Sequence, residues 1–319
     1  MNTCSAIARR ALLAAALLPA PALAQSGAVA RRPLVLSTVG MVGDLARAIG
    51  GEAIQAETLI GEGVDPHLFR PTRADIARIL RADAVFLNGH RLEGRMGDVL
   101  ERARATGKPV VAVAEALPRA RLRAHPDYPD AADPHAWMDP VLWAEAAGAV
   151  AEAIAQLVPG HDTTAPLAAL RGRLAALDAY AERAFAPIPR ERRVLVTAHD
   201  AFAYFGARYA FQVESIQGLS TEAEANLSRI EALVRLLVDR QVPAVFAETS
   251  VPDRAVRALI EGAGARGQRV ALGGQLFSDS MGRPGSYRGT YEGMLDHNVT
   301  IIARALGGEA PERGLHGRL

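Results

Sequence analysis

Four short segments of this chain carry metal-ligating side chains in closely similar turn-forming settings. They are Asp65-Pro66-His67, Asp133-Pro134-His135, Thr197-Ala198-His199-Asp200 and Phe277-Ser278-Asp279-Ser280-Met281-Gly282. His67, His135, His199 and Asp279 together offer three imidazoles and a carboxylate, a full ligand set for one divalent metal ion. That donor set suits Zn2+ in tetrahedral geometry and is acceptable to Mn2+. Thiolate chemistry is excluded, because Cys4 is the only cysteine and lies in a segment expected to be removed. Pro66 and Pro134 restrict the backbone ahead of two of the histidines, and the preceding aspartates favour turns. Asp65, Asp133 and Asp200 read first as caps and turn formers, and second as groups that orient imidazoles. Asp139, ahead of Pro140, reads as a helix cap. His90, His125, His161, His297 and His316 lack the shared setting and read as structural or surface residues.

Each candidate ligand lies where an apolar run ends and a helical pattern begins, the place where open α/β sheets put ligand-binding groups. The elements that position them alternate strand and helix, which implies mostly parallel sheets flanked by helices. Strands are expected at 34–37, 56–60, 84–87 and 110–113, with helices starting near Val42 and spanning 73–80 and 93–105. Between 141 and 185 the pattern turns helical, interrupted at Pro159-Gly160, and Leu167, Leu170, Leu174, Leu177 and Tyr180 form one stripe. Its second helix is long enough to join two lobes. Beyond it, strands are expected at 194–197, 211–216, 244–246 and 270–272. Helices are expected at 222–237, with Ser220-Thr221 and Glu224 as a capping box, at 254–263 and at 291–306. The predicted fold is therefore α/β: two lobes, at 33–160 and 192–306, joined by a linker helix at 161–187 and followed by a frayed tail at 307–319. His67 and His135 belong to the first lobe, His199 and Asp279 to the second, so the ion would sit between them.

Arg9-Arg10, the apolar stretch 11–18 and Ala22-Leu23-Ala24 read as a signal peptide occupying 1–24, which implies export. The twin-arginine pathway is as compatible with these residues as the general one. Formal net charge is +1, from 36 basic and 35 acidic residues, and Lys108 is the only lysine. No basic run interleaved with aromatics marks a nucleic-acid surface.

The chain resembles the cluster A-I metal-binding solute-binding proteins of zinc and manganese ABC transporters. The resemblance rests on the four segments above, on Asn88-Gly89 with Leu92-Glu93, on Ala136-Trp137-Met138-Asp139-Pro140 after His135, and on Ala247-Glu248-Thr249-Ser250. It implies a periplasmic receptor that delivers a metal ion to a membrane permease, with His67, His135, His199 and Asp279 as ligands, and the protein is expected to be a monomer. Some manganese-binding members have a glutamate where this chain has His199, which favours zinc. The His-rich loop of many zinc-binding members is reduced here, between 119 and 132, to the single His125. The competing class is an exported zinc hydrolase in which Asp279 acts on metal-bound water and Glu248 is a candidate base. No His-Glu-x-x-His or Gly-x-Ser-x-Gly motif supports it. No patch of residues marks an adhesin role.

Overall fold

Four consecutive buried positions, the first three apolar, make β1 (Leu34–Ser37) a central strand. It pairs in parallel with β2 (Gln55–Thr58) on one side and β3 (Ala84–Leu87) on the other, and β4 (Val110–Ala112) completes the order β2-β1-β3-β4. This is a computed structural model, and it describes Met1 and residues 31–223 and 226–319. The proposed signal peptide, Cys4 and Glu224 lie outside the described residues. The crossovers are α1 (Gly40–Gly50), α2 (Arg73–Arg81) and α3 (Gly97–Ala105). Thr72 and Asp75 form a reciprocal capping box at the start of α2. The lone Lys108 caps its other end, donating to the carbonyls of Ile79, Leu80 and Ala82 at 3.2, 2.6 and 2.7 Å.

Asp139 accepts from the backbone of Val141 and Leu142 to start α4 (Pro140–Leu157), with Pro140 at the first helical position. Next comes α5 (Thr164–Phe185), a helix of 22 residues and therefore about 33 Å long. It buries Leu170, Leu174, Leu177, Tyr180, Ala184 and Phe185, and packs on α1, α4 and other helices. The second half adds β5 (Val194–Thr197), α6 (Ala203–Tyr209), β6 (Gln212–Ser215), α7 (Leu227–Asp239), β7 (Ala244–Glu248), α8 (Arg254–Gly264), β8 (Ala271–Leu276) and α9 (Tyr291–Leu306). β5 pairs in parallel with β6, β7 with β8, and β5 lies beside β7. One apolar core runs from Leu34 to Leu306 and takes in both halves of the chain, while a second surrounds α7 and α8. Among the described residues no helix is long and apolar enough to cross a membrane.

Two local expectations need correction. The helix expected at 222–237 begins later, at Leu227, with Asn226 capping the Ser228 N–H. The residues read as its start make tertiary contacts instead: the Thr221 hydroxyl donates to Asp65, and Glu222 pairs with Arg95 at 2.5 Å. The segment 307–319, read as frayed, is docked. Its Leu315 N–H donates to both oxygens of the buried Asp296 carboxylate at 2.9 and 3.1 Å, and its Glu309 N–H donates to the Ala184 carbonyl. Smaller shifts also occur, such as β8 running on to Leu276.

Candidate metal centre

Each of the four candidate residues is delivered by a loop, and the loops converge. His67 sits on the segment after β2, His199 just after β5 and Asp279 just after β8, all at the C-terminal ends of parallel strands. His135 differs from expectation, because it follows an irregular segment and precedes a single 3-10 turn, Ala136–Met138, that leads into α4. One donor atom from each of His67, His135, His199 and Asp279 lies within 4.8 Å of the others. The Asp279 carboxylate is central, at 3.0 Å from His199 Nε2, 3.3 Å from His135 Nε2 and 3.6 Å from His67 Nε2. His67 Nε2 and His135 Nε2 are 3.4 Å apart. All four residues are buried, His67 least so at 9% exposure. Both Asp279 oxygens and His199 Nε2 are buried without a hydrogen-bond partner. Orphaned polar atoms at the focus of one cluster are costly unless a ligand satisfies them.

Two of the rings are braced from behind by carboxylates. His135 Nδ1 donates to Asp133 at 2.8 Å, and the same oxygen accepts the His135 backbone N–H at 2.9 Å. His199 Nδ1 donates to Glu248 at 2.5 Å, while the other Glu248 oxygen accepts the His199 N–H at 2.8 Å. Such bonds select the tautomer that turns Nε2 toward the metal position and raise the ring's basicity. Of the three aspartates considered as ring-orienting groups, only Asp133 takes that role. Asp65 bonds the His67 backbone N–H at 2.8 Å rather than its ring, and the Asp200 N–H is engaged by the Gly218 carbonyl. Glu248, named from the sequence as a candidate base of the hydrolase alternative, takes the ring-orienting role that was the second reading of Asp200. Nothing in local sequence links it to a histidine 49 residues earlier.

The loops themselves are held by buried polar groups. Buried Glu93 accepts from the Thr38 hydroxyl and from the Asn88 and Gly89 backbone. Asn88 Nδ2 then donates to the Pro134 carbonyl at 2.9 Å, anchoring the His135 loop. Gly89 is required in that turn, since its φ is 92° and a Cβ would lie 2.8 Å from the Glu115 side chain. On the opposite side, Asn298 brackets Phe277 by bonding both its N–H and its carbonyl. Hydroxyl pairs Ser250–Ser278 and Thr249–Ser280, each at 3.0 Å, flank Asp279.

Charge within the cluster is strongly redistributed when no metal is bound. Burial pushes the His67 imidazole down to about 3, so it is neutral at pH 7. Burial acts in the same direction on His135, but Asp133 and Asp279 outweigh it and raise that ring to about 9. His199 is likewise raised well above its ordinary value, with Asp279 and Glu248 overcoming burial. Burial would raise Asp279, yet His199 and His135 hold its carboxyl well below the usual range. None of the five histidines read as structural or surface joins the cluster. His161 bonds the Ile49 carbonyl, His297 the Gln275 carbonyl and His316 the Glu292 carboxylate. His90 accepts from the Ala132 N–H, and the His125 ring packs on Tyr128.

Replacing Glu248 with Gln preserves size while removing the charge behind His199. Loss of one such partner typically costs ten- to a hundredfold in metal affinity. Competition against a chromophoric chelator should show a zinc affinity weaker by that factor, and wild-type affinity in the folded variant would mean the charge has no part in binding.

TroA of Treponema pallidum, a zinc-binding protein, is 41% identical over 277 residues, 86% of this chain and 89% of that protein. MntA of Bacillus subtilis, a manganese-binding lipoprotein, is 40% identical over 274 residues, 85% of this chain and 89% of its own length. The solved structure of TroA superposes with a TM-score of 0.83, covering 86% of this chain and 99% of that one. The Fe(III)-bound structure of YtgA from Chlamydia trachomatis reaches 0.78 at 27% identity, covering 88% of this chain and 100% of that chain. Residues 35–305 match the family model for the periplasmic zinc-uptake complex component A, ZnuA, and the chain belongs to that family.

Proposed function

We propose that the protein is an exported receptor that captures one divalent metal ion, Zn2+ first, and delivers it to the membrane permease of an ABC transporter. The observation that carries this reading is the buried three-histidine, one-carboxylate cluster, in which both Asp279 oxygens and His199 Nε2 lack a hydrogen-bond partner. His67, His135, His199 and Asp279 are the proposed ligands. Two segments, 33–160 and 192–306, act as the lobes that contribute two ligands each, with 161–187 between them. Export through the segment 1–24 places the receptor in the periplasm, where it works as a monomer.

Donor chemistry favours zinc, because three imidazoles and a carboxylate match its preference and its affinity exceeds that of manganese at nitrogen-rich sites. Manganese is the second reading, supported by the 40% identity to MntA and by an Asp279 carboxylate with both oxygens free to ligate. Catalytic zinc sites keep a position open beside three protein ligands. Four protein donors here, with Asp279 among them, fit retention of the ion and not turnover of a substrate.

Equilibrium titration of chelator-stripped mature protein should show one zinc ion bound with submicromolar affinity, and weaker manganese binding at the same site. Absence of stoichiometric binding by either metal at micromolar concentration would refute the receptor reading. A manganese affinity above that for zinc would instead transfer the role to manganese.

A further inference from the structure

Trp137 lies two residues after His135, in the 3-10 turn Ala136–Met138, and is fully buried. Its Nε1–H donates to the Ser278 carbonyl at 3.0 Å, across 141 residues of sequence, immediately before Asp279. The indole also meets the His135 ring edge-on, with centroids 5.1 Å apart. The Trp137 carbonyl accepts the Tyr291 hydroxyl at 2.6 Å, and Tyr291 opens α9, the helix whose Asn298 brackets Phe277. One side chain thus contacts a candidate ligand from the first half of the chain and the backbone beside another from the second.

We infer that Trp137 is a positioning residue for metal capture, tying the His135 and Asp279 loops together so that the carboxylate is already aimed at the imidazole when the ion arrives. The inference rests on the receptor reading above. Its physical basis is the state of Asp279, whose oxygens face only the candidate ligand rings, His199 Nε2 at 3.0 Å and His135 Nε2 at 3.3 Å, and have no partner outside the cluster to hold them once an ion takes those contacts. Orientation of that carboxylate therefore depends on the backbone that carries it. Phe277 is fixed by Asn298, and the Ser278 and Ser280 hydroxyls pair with Ser250 and Thr249 on the same half of the chain. The Trp137 indole bonds the Ser278 carbonyl from the other half, next to His135. A bond of this kind limits the rotational freedom that the ligands would otherwise lose on binding the ion.

The fold supplies a matched control. Trp143, in α4, is equally buried and packs against Trp137 with centroids 6.4 Å apart, but its Nε1–H has no hydrogen-bond partner. Replacing either tryptophan by phenylalanine shrinks the same core by a similar amount. Only Trp137→Phe removes a bond to the Asp279 loop.

The test measures zinc affinity, zinc dissociation rate and the visible absorption of the Co2+-loaded protein for the wild type, Trp137→Phe and Trp143→Phe. Trp137→Phe is expected to bind zinc ten- to a hundredfold more weakly, through faster dissociation, with altered cobalt bands that report a changed carboxylate geometry. Trp143→Phe is expected to match the wild type in affinity and spectrum even if its melting temperature falls. Equal weakening in the two variants, or a Trp137→Phe affinity within twofold of wild type, overturns the inference. If Trp137→Phe does not fold, 3-benzothienylalanine incorporated at position 137, which has the shape of the indole but no N–H to donate to Ser278, takes its place under the same criteria. Failure of the wild type to bind metal would instead refute the receptor reading itself.

Discussion

Substituting Asp279 by Asn is expected to lower zinc affinity by roughly a thousandfold or more, equivalent to about 4 kcal/mol. Asp279 supplies the one anionic donor among the four, and its oxygens lie 3.0 to 3.6 Å from all three imidazoles. An amide of the same shape keeps the packing but offers a neutral oxygen. The effect should therefore exceed the ten- to hundredfold loss typical of a group that merely orients a ligand. A zinc-induced rise in melting temperature gives a second measure, since an ion at about a thousand times its dissociation constant stabilises by about 4 kcal/mol. The Asn variant should show almost none of that rise at the same free zinc. Zinc affinity within tenfold of the wild type would remove Asp279 from the ligand set.

Zinc affinity should also depend steeply on pH, in a window set by the folded site and not by free histidine. From sequence, the fall is expected below the ordinary imidazole value of about 6.5. In the metal-free cluster, however, His135 is raised to about 9 and His199 well above its ordinary value, while His67 is lowered to about 3. At pH 7 the metal therefore displaces one proton each from His135 and His199, and none from His67. Since protons compete with the ion, affinity rises with pH by about two decades per unit near neutrality, and the share of that slope due to His135 is lost above about pH 9. The stability of the metal-free protein moves the opposite way. Imidazolium pairing contributes fully below the unfolded pKa of about 6.5 and is lost as pH rises through the folded values. Calorimetry at pH 7 in two buffers of different ionisation enthalpy should count close to two protons released per zinc. A count near zero would show that the histidines are already neutral before metal binds.

How much was legible beforehand depends on the range of the interaction concerned. His67, His135, His199 and Asp279 stand out because Asp-Pro-His and the segments around His199 and Asp279 are local turn chemistry, written in adjacent residues. Helix α9 is bounded as expected, from Tyr291 to Leu306, because its apolar spacing and a Gly307 in the left-handed region both act within a turn or two. Where a local signal competed with a distant partner, the distant partner prevailed. Thr221 and Glu222 look like a helix start, yet Asp65 and Arg95 take them, and the helix waits for Asn226. Asp200 stands next to a candidate ligand, yet Glu248 braces His199.

By itself, then, the sequence determined the donor types, the alternation of strand and helix, and the turns that present each candidate ligand, since these follow from backbone preferences and periodicity over a few residues. Tertiary structure alone decided that Glu248 braces His199, that the residues after Gly307 dock on Asp296, and that the Trp137 indole reaches the loop of Asp279. Those pairings join residues far apart in the chain, and burial determines their strength. No local pattern encodes burial between segments, so the charge state of the cluster and its pH window become readable only once the loops have met.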